Sequence, residues 1–262
     1  MPIYLYLDRA TTLHRLHPGV KILALFTIFW SIYWLDQPLA LAPIGAILLL
    51  AAQYSDSWSN FYRLRWLLLL IMFFTAAVWL IFYRQGSPLL MLGPFPISRA
   101  SLEFGFGRAF KLAELIAATI LFLSTTRVEE FAYGLTWMGM PHRIGFAVTL
   151  AFRLAPLFID SALDVVAAQK LRGHDFSRGG PIARMRGYAP VMVPVFMGAL
   201  RKANNMAMAL EARGFGHTNR PTSLVEYRFK PADWLGVLAL GALGAGSFLA
   251  YLLGYGAINV GE

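Results

Sequence analysis

No cysteine occurs anywhere in this chain of 262 residues, so disulfides, thiolate nucleophiles and cysteine-ligated metals are excluded. Charge is scarce as well. Asp, Glu, Lys and Arg make up 14% of the sequence, against roughly 25% in a soluble domain. Acids are the scarcer sign, 14 against 23 Lys and Arg, which leaves a formal net charge of +9. The sequence has no G-x-x-x-x-G-K-[ST] phosphate loop, no H-E-x-x-H helix and no G-x-S-x-G elbow. P-loop nucleotide hydrolysis, zinc proteolysis on such a helix and elbow-based serine hydrolysis therefore have no carrier here. The five histidines, His14, His17, His142, His174 and His217, show no metal-ligand spacing.

Apolar residues fill the space that charge leaves. They make up 58% of the chain, and the mean hydropathy is +0.56, so the chain is an integral membrane protein. Trp234–Tyr255 runs without a charge for long enough to cross a ~30 Å hydrocarbon core. Trp66–Tyr83 is a second such run, bracketed by Arg63, Arg65 and Arg84. Lys21–Leu35 and Leu39–Tyr54 are shorter and divided by Asp36-Gln37-Pro38, which reads as a helical hairpin. A fourth span is expected from about Phe106 to Thr126, although its first half carries Arg108, Lys111 and Glu114. Basic residues before the first apolar run give the N-terminus a superficial likeness to a secretory leader. Apolar sequence resumes at once, however, so a retained hairpin is expected.

Residues 127–231 hold fourteen Lys and Arg but only seven acids, most of the net charge of the chain. The positive-inside rule then puts this region in the cytoplasm, along with the N-terminus and its Arg9, Arg15 and Lys21. The C-terminal Gly256–Glu262 would lie outside. The expected fold is an all-α polytopic membrane protein with about five transmembrane helices and a cytoplasmic domain of two to three amphipathic helices. Its divisions are 1–126 (about four spans), 127–231 (cytoplasmic or interfacial helices) and 232–262 (the last span).

Within the insert, Ala155–Arg172 has helical periodicity. Asp160, Asp164, Ala168 and Arg172 form one polar line, while Phe158, Ile159, Ala162, Leu163 and Val166 cover the other side. Met197–Arg213 places Leu200, Ala203, Ala207 and Leu210 on a seam, and Ala199, Ala203 and Ala207 make a small-residue ridge for close helix approach. Gly179-Gly180-Pro181 divides these two helices, Pro141, Pro190 and Pro194 start or bend their neighbours, and Pro221 follows the second. The helices should lie on or just beneath the inner leaflet, with apolar faces on the membrane bundle or on partner membrane proteins.

Both helices close on the same signature: Leu171-Arg172-Gly173 and Ala212-Arg213-Gly214. A glycine just past a helix end adopts the left-handed conformation that stops it. An arginine on the last turn is favoured by the helix macrodipole. Asp160 and Asp164 form a D-x-x-x-D pair, a spacing used for Mg²⁺ by some membrane prenyl or phosphatidyl transferases. Such an enzyme needs a second acidic motif, and none occurs. The pair therefore reads first as a solvated polar stripe, with a Mg²⁺-dependent lipid or prenyl transferase as the alternative. Arg184, Arg186, Arg201 and Lys202 suit lipid headgroups. The spread of basic residues over membrane-facing helices excludes a nucleic-acid partner.

The chain resembles the transmembrane T component of energy-coupling factor (ECF) transporters, the ABC-type importers of vitamins and transition metals in bacteria and archaea. The likeness covers nearly the whole chain. It rests on Leu13-His14-Arg15-Leu16-His17-Pro18-Gly19-Val20-Lys21, on the two Arg-Gly endings and on the Phe229-Lys230-Pro231-Ala232-Asp233-Trp234 approach to the last span. The first ending departs from the family's Ala-Arg-Gly in having Leu171 in place of Ala. The resemblance implies a non-catalytic subunit with no cofactor of its own. ATP and Mg²⁺ would be bound by two partner ATPase subunits. It further implies two crossing coupling helices, each ending in one motif held in a groove of one ATPase. Leu171, Arg172, Gly173, Ala212, Arg213 and Gly214 would make those contacts. A small membrane S component would bind the substrate and be held in the bacterial or archaeal cell membrane by this chain.

Overall fold

The computed structural model describes residues 6–9, 11–83, 88–92, 95–176, 180–217 and 227–254. In chain order they form α1 (Pro18–Trp34), α2 (Pro38–Tyr54), α3 (Trp58–Phe82), β1 (Pro88–Leu92), β2 (Phe95–Ser98), α4 (Arg99–Thr125), α5 (Val128–Trp137), α6 (His142–Leu171), α7 (Pro181–Gly187), α8 (Ala189–Ala212) and α9 (Pro231–Leu252). Two compact units result: Met1–Gly139 with Tyr227–Glu262, and Met140–Glu226. The fold is helical, with one antiparallel hairpin of β1 and β2 that the sequence reading does not anticipate. Short apolar runs of this kind carry no period that separates strand from helix.

In the first unit α4 packs on α1, α2 and α3, and α1 packs on α5 and α9. Ile32, Leu35, Leu41, Ile44, Leu48 and Ala118 form its buried core, and Ala52, Phe61 and Ile120 a second cluster. Outside these clusters the helices present bare apolar side chains, such as Trp66, Leu70, Phe73 and Phe74 on α3. In water a patch of this size would drive association. In hydrocarbon it is the lipid-facing wall.

Local chemistry sets the helix ends. Pro18 and Pro38 open α1 and α2 at positions where no amide hydrogen is needed. Ser98 and Ser101 reciprocally cap α4, with Ser101 N donating to Ser98 Oγ at 3.0 Å and Ser98 N to Ser101 Oγ at 2.9 Å. Two of the charges that trouble α4 as a span, Arg108 and Lys111, share the acid of the α1–α2 turn. Asp36 Oδ1 receives Arg108 Nη1 at 3.2 Å and Lys111 Nζ at 2.9 Å. Gly107 is needed at that junction, because a Cβ there would come within 2.3 Å of the Asp36 carbonyl oxygen.

The opposite end of the bundle is pinned by Lys21, which is 6% exposed. Its ammonium donates to His14 O at 2.8 Å, Thr125 O at 2.8 Å and Glu130 Oε2 at 2.7 Å. All three of its hydrogens are thus used. Beside it, α5 crosses α1 at Gly134, where a Cβ would lie 2.6 Å from Ile22 Cδ1 and 3.0 Å from Pro18 O. His17 caps α1 by accepting from Gly19 N at 3.1 Å, and its own amide donates to Asp233 Oδ1 at 2.8 Å. The other Asp233 oxygen accepts from Lys230 N at 2.7 Å. One carboxylate therefore joins the starts of α1 and α9. The His17 ring lies among Tyr133, Trp137, Tyr227 and Phe229.

Several extents differ from the sequence reading. Helix α3 starts at Trp58, so Arg63 and Arg65 lie within it rather than ahead of it. Helix α6 starts at His142 instead of Ala155. Its apolar N-terminal half makes it, with α3 and α9, one of three described helices long and apolar enough to cross a membrane. Helix α8 starts at Ala189, upstream of Met197, and contains Pro194. Pro156 likewise sits inside α6. Helix α5 and residues 227–231, grouped with the insert by charge, pack in the first unit through Gly134, Tyr227 and Phe229. Arg84, Arg178, Gly179, Arg220, Pro221, Glu226 and Gly256–Glu262 lie outside the described residues.

Lys21→Met should lower stability by about 3–5 kcal/mol, because Glu130 and two carbonyls lose their donor. Adding Glu130→Gln should recover part of that loss, which thermal unfolding in detergent measures. Burial holds the His17 imidazole below its ordinary value, and burial with the neighbouring Lys21 does the same for His14. The folded chain keeps both neutral where the unfolded chain takes up protons. Their contribution is therefore complete above about pH 6.5 and declines as pH falls below it. The unfolding temperature should drop between about pH 7.5 and about pH 5.5, with a shallower slope in His17→Asn.

Candidate functional site

The two Arg-Gly endings belong to the second unit, where α6 packs on α8. Their backbones follow one plan. At the first, Gly173 has φ +82°. Gly173 N donates to Lys170 O at 3.0 Å and His174 N to Gln169 O at 3.0 Å. At the second, Gly214 has φ +73°. Gly214 N donates to Glu211 O at 2.9 Å and Phe215 N to Leu210 O at 2.9 Å. Each is a Schellman cap, which satisfies carbonyls that the helix end would otherwise leave open.

This geometry moves each arginine from the last turn, where periodicity puts it, to the cap position itself. Arg172 has φ −82° and ψ 9°, and Arg213 has φ −90° and ψ 6°. Leu171, Arg172, Gly173, Ala212, Arg213 and Gly214 are all exposed, Leu171 to 91%. Neither guanidinium has an ion pair or side-chain hydrogen bond among the described residues. Each cap thus holds a planar five-donor fork at a fixed tip, suited to carboxylates and carbonyls.

What lies behind each tip differs. After α6 the chain folds back, and His174 Nε2 lies 2.8 Å from Gly187 O. Phe176, buried to 9% exposure, packs on His174 at 4.7 Å and on Tyr188 at 4.9 Å between ring centroids. An open cavity of about 650 Å³ lies here, with Lys170, His174, Phe176 and Arg184 in its wall. After α8, Phe215 packs on Phe146 at 4.4 Å, and Arg143 Nη2 donates to Gly216 O at 3.3 Å. The end of α6 therefore meets the start of α8, and the end of α8 meets the start of α6. The helices run in opposite senses, so the tips lie at opposite ends of the pair. At 1.5 Å per residue from Phe146 to Arg172, they are roughly 40 Å apart.

Asp160 and Asp164 are exposed, one turn apart on α6. No group of three His, Asp or Glu side chains that could hold a metal occurs among the described residues. The sequence reading missed the role of three buried groups. It counted Lys21 among the basic residues that orient the N-terminus, and His17 and Asp233 entered only as members of the motifs that carry the resemblance. A lysine directly inside an apolar helix start was the available signal.

Gly173→Ala and Gly214→Ala should each cost about 1–2 kcal/mol at their helix end, since a Cβ disfavours the left-handed backbone. Faster amide hydrogen exchange at His174 or Phe215 would register it, and Asn in place of Gly should be milder.

The CbiQ family, described as cobalt transport protein, matches residues 9–223. The chain is similar to the energy-coupling factor transporter transmembrane protein EcfT of Streptococcus thermophilus, 29% identical over 91% of this chain and 94% of the relative. The protein of the same name from Thermosediminibacter oceani is 28% identical over 94% of this chain and 96% of the relative. That of Heliobacterium modesticaldum is 31% identical over 79% and 81%.

Proposed function

The chain belongs to the CbiQ family, the transmembrane components of energy-coupling factor transporters, and from that premise we propose that it is the energy-coupling subunit of an ECF-type ABC importer. It lies in the bacterial or archaeal cell membrane, with the N-terminus and the coupling helices in the cytoplasm and the C-terminus outside. The chain itself is non-catalytic. Two partner ATPase subunits bind ATP and Mg²⁺, and a small membrane S component binds the vitamin or transition-metal substrate.

One observation carries this reading: two caps of the same geometry expose Arg172 and Arg213 at opposite ends of the α6–α8 pair. A dimeric motor needs two equivalent contacts spaced apart. Each cap fixes the last turn through two main-chain hydrogen bonds, so a displacement applied at the arginine passes into the helix behind it. Closure of the ATPase pair would displace the two tips relative to each other, and α6 and α8 would carry that displacement toward the S component. Leu171 and Ala212 add apolar contact beside each guanidinium.

Arg172→Ala with Arg213→Ala should abolish co-purification with the ATPase subunits, or leave ATP hydrolysis uncoupled from uptake. Each single substitution should keep part of the function and weaken assembly by roughly 10- to 100-fold. Full assembly and transport in the double variant would overturn the assignment.

A further inference from the structure

We propose that the cavity between α1, α2, α4 and α9 binds one acyl chain of an anionic phospholipid. The cavity measures about 310 Å³ and opens to the outside of the first unit. Ala24, Leu25, Ile28, Ala118, Ala239 and Leu243 represent its wall, which is almost wholly aliphatic. Its two polar wall residues are already satisfied. Lys21 has three acceptors, and Thr125 Oγ1 donates to Leu121 O at 2.9 Å. Water needs two to four polar partners to occupy such a space, so an apolar cavity of this kind stays dry. A ligand with a polar group inside would leave that group unmatched. The occupant is therefore hydrocarbon.

The shape and one end of the cavity narrow the choice. Along α1 its wall runs from Val20 to Ile28, a little over two helical turns or about 12 Å, long enough for a stretch of linear chain. Leu13 and Leu16, on the turn before α1, line the same end as Lys21. Between them in sequence stands Arg15, exposed and without an ion pair among the described residues. Lys21 is committed internally, so we assign the headgroup contact to Arg15, which stands between two wall residues in sequence. The proposal needs only that the first unit is embedded in a membrane, and it is independent of the ATPase contacts.

The test uses the full chain, purified in mild detergent and reconstituted with mixed phosphatidylglycerol and phosphatidylcholine. Native mass spectrometry should show one retained phospholipid, enriched in phosphatidylglycerol. Ala239→Phe, which fills the slot, should lose it while keeping the wild-type unfolding profile. Arg15→Gln should keep a lipid but lower the preference for phosphatidylglycerol by roughly fivefold. Equal lipid retention in folded Ala239→Phe, or no retained lipid in the wild type, would overturn the proposal. If Ala239→Phe fails to fold, a benzophenone amino acid at Leu240, photoactivated in native membranes, decides instead. A phospholipid adduct supports the site. An adduct to a partner protein, or none, refutes it.

Discussion

The buried ammonium of Lys21 is the constraint on which the first unit depends. It ties four stretches of chain: the turn at His14, the start of α1, the end of α4 at Thr125 and α5 at Glu130. A lysine has three donors and no acceptor, so burying it is tolerable only when all three find oxygen. That demand fixes where α4 must stop and where α5 must begin. A separate pair of bonds, from His17 N and Lys230 N to the Asp233 carboxylate, ties the start of α1 to the start of α9.

Ion pairs flank both ends of α1. Lys21 and Glu130 meet at one end, Asp36 with Arg108 and Lys111 at the other. Between them α1, α2 and α4 share an aliphatic core that includes Ile32, Leu41, Ile44 and Ala118. This division follows from the solvent. Lipid tails are as apolar as leucine, so apolar burial gives little drive for helices to associate in a bilayer. Close packing and a few satisfied polar groups supply specificity instead, and Gly107 and Gly134 admit the approach where bulk would prevent it.

The second unit solves a different problem. Its two long helices end in tips that carry an exposed arginine, and a Schellman cap holds the shape of each with main-chain atoms alone. Because the fork-bearing residue is itself the cap, its backbone is held while its side chain stays exposed. The supports behind the two tips differ, His174 and Phe176 at one and Phe146 with Phe215 at the other. The two tips thus share one chemistry on unlike foundations.

Much of this was legible in the residues. Composition announced a membrane protein, Asp36-Gln37-Pro38 announced a turn, and the paired Arg-Gly steps announced two helix stops. Run length misjudged α3 and α6, because Arg63, Arg65 and Arg153 lie inside helices whose apolar character continues around them. Sequence alone determined the class, the turns and the two stops, since hydropathy, proline and a left-handed glycine act locally. Only the tertiary structure decided that Lys21 is buried, that Arg108 and Lys111 share Asp36, and that the two arginine tips face apart. Those outcomes depend on which distant residues meet, and no local property of the chain encodes the direction in which α8 returns along α6.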